Sequence, residues 1–133
     1  MSILNFNNIE IAQILVSIFF SIVFFQSSLD KINDREGNLK FFNHHFKGIF
    51  FQNYISISLN FLALLEIISA FLCCLGVLYK LLYHDLIFIY YGLLMSAIVL
   101  LSLILGQRLA KDYAGAADIT IYFILCIFTI LSF

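Results

Sequence analysis

Proline is absent from the 133 residues, and charge is scarce: Asp, Glu, Lys and Arg together make up 11%. Without proline, no long helix is obliged to kink or break. With so little charge a water-facing surface cannot be built, because soluble domains carry about 25% charged residues. There is no basic tract of the kind that binds nucleic acid, so no nucleic-acid partner is expected. No C-x-x-C pair occurs among Cys73, Cys74 and Cys126, and dithiol redox chemistry lacks its usual motif. His44 and His45 are neighbours rather than i, i+4 partners, and no Cys or carboxylate cluster completes a metal site. Met1 to Asn8 holds no Lys or Arg and no small-x-small site follows, so the first apolar run is expected to stay rather than be cleaved.

What fills the chain instead is apolar: 63% of it is hydrophobic. That surplus has to face lipid. A hydrocarbon core needs about 20 helical residues to cross it. Four runs have that length, at 9–29, 54–78, 86–106 and 114–133, and none alternates as a barrel strand would. The expected fold is all-α: one domain, 1–133, forming an antiparallel bundle of four transmembrane helices. Short polar bridges at 79–85 and 107–113 force their flanking helices to be antiparallel neighbours. The 32–53 connection differs in kind. It opens on the turn cluster Asn33 to Asn38, then places Leu39, Phe42, Phe46, Ile49 and Phe50 on one helical face and Lys40, Asn43, His44 and Lys47 mostly on the other. That pattern predicts a short amphipathic helix in the membrane interface.

The end of the bundle carrying the first and third connections is here called end B; the opposite end is end A. Lys31, Arg35, Lys40, Lys47, Arg108 and Lys111 lie at end B, against Lys80 alone at end A. The positive-inside rule puts end B in the cytoplasm and both termini outside. Tyr79, Tyr83, Tyr90 and Tyr91 suit an aromatic belt at end A, where Glu10 reads as solvated. The three cysteines read as small apolar core residues.

End B gathers the polar chemistry. Helix one ends in Gln26-Ser27-Ser28-Leu29-Asp30-Lys31, and the third connection carries Gln107, Arg108, Lys111, Asp112 and Tyr113. Ala114 to Ala117 would let helices approach closely there. Asp30, Lys31, Gln107, Lys111, Asp112, Tyr113 and Asp118 are expected to build a partly buried polar network. Asp118 also suits the first turn of a helix, where the dipole favours an acid. Glu66 stands apart, about 18 Å into helix two at 1.5 Å per residue. An ionised carboxylate at that depth costs several kcal/mol unless it is paired or hydrated. Arg108 is long enough to be its cation, and Gln26 lies on the same side. Two readings follow: Glu66, Arg108 and Gln26 handle protons or bind a quinone-sized ligand, or Glu66 is a polar staple between helices.

Ser28-Leu29-Asp30-Lys31, Gly37-Asn38 and His45-Phe46 resemble the end of helix one and the following loop of DoxX-family membrane proteins. The run Gly106 to Ala117 is similar to that family's third connection, and Glu66 falls where it often has a glutamate in helix two. Ser28 departs from the pattern, where a glycine is expected and would pack more tightly. The resemblance implies a four-helix fold and a bacterial inner-membrane subunit linked to quinone redox chemistry or anchoring a redox partner. No intrinsic cofactor is expected, and a quinone is the ligand implied. The competing expectation is a non-catalytic accessory subunit, packed by its apolar faces against other membrane proteins.

Overall fold

The computed structural model describes residues 7–33, 55–109 and 111–133. Among these residues it has four helices: α1 (Asn8–Asn33), α2 (Ile55–Tyr83), α3 (Ile87–Leu109) and α4 (Tyr113–Leu131). Each is long and apolar enough to cross a membrane. No strand occurs among the described residues. The amphipathic segment expected over 39–50, with both its histidines, lies outside them.

Helices α1, α2 and α3 run beyond the apolar spans read from the sequence, most clearly at α2, which continues past Leu78 to Tyr83. Helical hydrogen bonding needs no apolar run to continue, and no proline ends it. Lys80, expected in a loop, is therefore a helical residue. What stops α2 is a left-handed residue: His84 has φ 57°, and its N–H reaches back to the Lys80 carbonyl at 2.9 Å. Lys111, at φ 61°, ends α3 in the same way. Its N–H bonds the Arg108 carbonyl, and the Asp112 N–H bonds the Gln107 carbonyl. Asn7 caps α1 by accepting from the Glu10 N–H at 2.8 Å. Asp112 caps α4 by accepting from the Gly115 N–H at 3.1 Å. Asp112→Ala should cost about 0.5–2 kcal/mol, the usual worth of a cap, read as a lower thermal midpoint in detergent.

Serines stitch α1 to α2. Ser17 donates to the Cys73 carbonyl at 2.9 Å, Ser21 to Ala70 at 3.1 Å and Ser28 to Ala63 at 3.2 Å. Numbers rise along α1 as they fall along α2. Glu10, Ser17, Phe24 and Lys31 recur at heptad spacing on α1, and Ala63, Glu66, Ala70, Cys73, Val77 and Lys80 alternate in steps of three and four on α2. That period keeps one face of each helix on the other along their whole length. Ser28, where a glycine was expected, is fully buried and uses its hydroxyl to bind the neighbour.

Close approach occurs between α2 and α3. A Cβ on Gly76 would stand 2.7 Å from the Ile89 backbone nitrogen, and one on Gly92 would stand 3.0 Å from the backbone nitrogen of Cys73. Small residues let these backbones touch. At 114–117, where tight packing was expected, only Ala116 is buried; Ala114 and Ala117 face outward. The core gathers Phe20, Phe24, Ile89, Leu93, Val99 and Leu100 with Ala70, Cys73, Ala97 and Cys126. Helix α4 joins through Cys126, whose thiol donates to the Leu93 carbonyl at 3.2 Å. Contact between α1 and α4 is sparse; it includes Gln13 donating to Ser132 at 2.8 Å and Phe19 beside Tyr122 at 5.7 Å. Outward faces carry Leu64, Phe71, Ile98, Leu105 and Phe128, as a lipid-facing surface requires.

Candidate functional site: a buried ion pair between α1 and α2

Glu66 is fully buried, and its partner is Lys31. The Lys31 ammonium lies 2.9 Å from Glu66 Oε1 and 3.2 Å from Oε2, and donates to Ser27 Oγ at 2.8 Å. Its three donors thus have an acid and a hydroxyl within reach. Lys31 itself is 12% exposed. The pairing follows from how side chains leave a helix. Every Cα–Cβ bond tilts toward its helix's N-terminus. Lys31 near the end of α1 therefore leans down into the bundle, and Glu66 on the oppositely numbered α2 leans up to meet it. Glu66 lies about 17 Å along α2 from Ile55, at 1.5 Å per residue. The apolar stem of Lys31 carries its ammonium inward to the carboxylate, 2.9 Å from Oε1.

Arg108, expected to be the cation for Glu66, is not. It is exposed and lies over the Tyr113 ring, 4.6 Å from the centroid. The reason is helix rotation: Arg108 ends α3 on the outward side, and the turn at Lys111 brings Tyr113 beneath it. Gln26 is exposed on α1 and does not line the bundle interior.

The polar network expected at end B resolves into separate local contacts. Asp112 is used as a helix cap. Gln107 gives its carbonyl to the Asp112 N–H, while its buried Oε1 has no hydrogen-bond partner. Asp30, Lys111, Tyr113 and Asp118 are exposed. Of the expected network, Lys31 is the member that reaches inward to Glu66.

A second ion pair was missed from the sequence. Glu10 lies 3.1 Å from Lys80, with side chains 24% and 5% exposed. Glu10 is therefore paired rather than simply solvated. The signal was available: an acid in the first turn of α1 faces a lysine in the last turn of α2, the placement helix dipoles favour. Around this pair the tyrosines do cluster, Tyr79 against Tyr83 and Phe88, and Tyr90 against Tyr91 and Phe133.

The cysteines divide. Cys73 and Cys126 are buried core thiols, but Cys74 is exposed on the outer face of α2, one residue and about 100° further round the helix. A recess of about 190 Å³ is lined by Phe123, Ile124, Ile127, Phe128 and Leu131, all on α4. It contains no part of the Lys31–Glu66 pair. No group of three or more metal-ligating side chains occurs among the described residues.

No protein-family model, curated protein or solved structure matches this chain.

Proposed function

We propose that the chain is a DoxX-like integral membrane subunit associated with quinone-linked redox chemistry, or anchoring a redox partner. In this reading the four helices cross a bacterial inner membrane as an antiparallel bundle. Residues 30–53 and 107–113 face the cytoplasm, both termini lie outside, and an interfacial helix at 39–50 flanks end B. A soluble redox protein docks on that end. The single observation that supports the reading is the Lys31–Glu66 pair. A membrane-buried acid with a cation beside it and a serine within reach is a group able to hold or pass a proton when a quinone is reduced or oxidised. The test is to purify the protein in native lipid discs and extract the bound quinone. The wild type should retain quinone in fixed proportion to protein, and Glu66→Gln should lose it while staying monodisperse. Equal retention by both sinks a role for Glu66.

A second reading, a non-catalytic accessory subunit, is favoured by the completeness of the same pair. Lys31 and Glu66 satisfy one another inside the α1–α2 seam, as a staple would. Purification in mild detergent separates the two: an accessory subunit arrives with a larger membrane complex, and a free monomer rules it out.

A further inference from the structure

The outward face of α1 carries one stripe of side chains: Leu15, Phe19, Ile22, Gln26 and Leu29, all exposed. They follow one another in steps of four and three, so they line up along the helix. Four are apolar, as a lipid-facing surface requires. Gln26 is not. It lies nine residues from Ser17, and so about 180° round the helix at 100° per residue. Ser17 is bonded to α2, so Gln26 faces directly away from that contact.

Gln26 also lies deep. The Ser21–Ala70 and Ser28–Ala63 bonds fix the register of α1 on α2, and they put Gln26 level with Leu65 and Glu66. From Asn33, where α1 ends, Gln26 is about 10 Å inward at 1.5 Å per residue. Its side chain leans toward the N-terminus of α1, and so away from end B. Ser102 and Thr120 are also outward hydroxyls, but each donates to the carbonyl four residues earlier. Gln26 makes no hydrogen bond among the described residues. Its amide has two N–H donors and an acceptor oxygen. Hydrocarbon satisfies none of them, and helices in membranes pair such groups with one another.

The chemistry of the stripe selects the partner. Copies of one chain insert in the same orientation. Two α1 helices meeting by this face are therefore parallel, related by a two-fold axis along the membrane normal, and like numbers meet at the axis. Gln26 then faces Gln26. A neutral amide is suited to meeting itself, because each Nε2–H can donate to the other's Oε1. A carboxylate or an ammonium at the same position would repel its copy. One polar residue within an apolar heptad stripe also fixes the register and the number of partners.

We infer that the outward face of α1 is a homodimer interface, in which Gln26 pairs with Gln26 of a second copy across a two-fold axis.

The inference stands apart from quinone binding, and its test contains no quinone. The purified chain carries Cys74→Ala, which removes the exposed thiol and leaves the two buried ones. It is reconstituted in liposomes over a range of protein-to-lipid ratios. In this background Ile22→Cys should cross-link to a dimer under mild oxidation. Ile98→Cys, exposed on α3, should not. Single-molecule photobleaching of labelled chains reads the dimer fraction at each ratio. Gln26→Leu keeps an apolar side chain of similar size and should weaken association about tenfold, the scale of an interhelical polar contact. Gln26→Asn keeps the amide and should retain most of the association. A chain that stays monomeric at every ratio overturns the proposal and leaves the stripe to lipid or to a different protein. So does association unchanged in Gln26→Leu, or cross-linking at Ile98 as strong as at Ile22. Quinone retention in native lipid discs is read separately, so either reading can fail alone.

Discussion

Lys31→Met is expected to destabilise the bundle by about 3–5 kcal/mol, the cost of leaving a buried charge without its partner. The size of the effect comes from Glu66, which is fully buried within a helix long and apolar enough to cross a membrane. Methionine keeps the apolar stem of lysine and removes only the ammonium, so the loss reads the charge and not the packing. The double variant Lys31→Met with Glu66→Leu should regain most of the lost stability, because replacing a buried pair by apolar side chains is often neutral or better. Thermal unfolding in one detergent, followed by circular dichroism, measures all three proteins. If the single and double variants are equally stable, the pair is not coupled and the geometry has been misread.

The same substitution elsewhere should matter less. Lys80→Met leaves Glu10, which is 24% exposed and can be hydrated. Arg108→Ala removes an exposed cation–π contact with Tyr113, worth about 0.5–1 kcal/mol. The recovered double variant has a further use: it is a folded bundle without the buried charges. Quinone retention that survives in it makes the pair a staple.

Glycine-to-alanine substitutions should separate by position in the order Gly76, Gly92, Gly106. Gly76→Ala places its new carbon 2.7 Å from the nitrogen and 2.9 Å from the Cα of Ile89. Backbone atoms cannot rotate aside, so α2 and α3 must part, at a cost of about 1–3 kcal/mol for an overpacked core. Gly92→Ala meets Cys73 at 3.0 Å or a little more, and a shift of a few tenths of an ångström would relieve it. Gly106→Ala meets nothing within 4 Å and should be neutral or gain up to about 1 kcal/mol from helix propensity. Thermal midpoints in detergent check the order. A Gly76→Ala midpoint equal to that of the wild type would show that α2 and α3 do not touch there.

These three glycines illustrate the limit of reading a chain by composition. Gly76 and Gly92 lie in apolar helical runs, and nothing in their immediate neighbours distinguishes them. Gly76 and Gly92 are contact points because residues distant in the chain, Ile89 and Cys73, arrive opposite them. The run Ala114 to Ala117 looked like the better packing site, being richer in small residues. Only one of its positions faces inward, because α4 can turn only one side to the bundle.

The buried acid shows the same division. Scarce charge, absent proline and four apolar runs were sufficient to specify helices long enough to cross a membrane. Hydropathy is a sum over neighbours in sequence, and it survives whatever the helices pack against. The depth of Glu66 followed as well, since rise per residue is fixed. What the chain alone left open was the cation that reaches it. Arg108 was the cation expected for it, while Lys31, at the same end B, was assigned to the separate polar network. The choice rests on how far each helix is rotated about its axis and which neighbour it packs on, and one residue turns a helix by about 100°. Tertiary packing turned Lys31 inward onto α2 and Arg108 outward over Tyr113. By the same rotation it paired Glu10 with Lys80, sent Cys74 to the surface and left Ser69 buried without a partner.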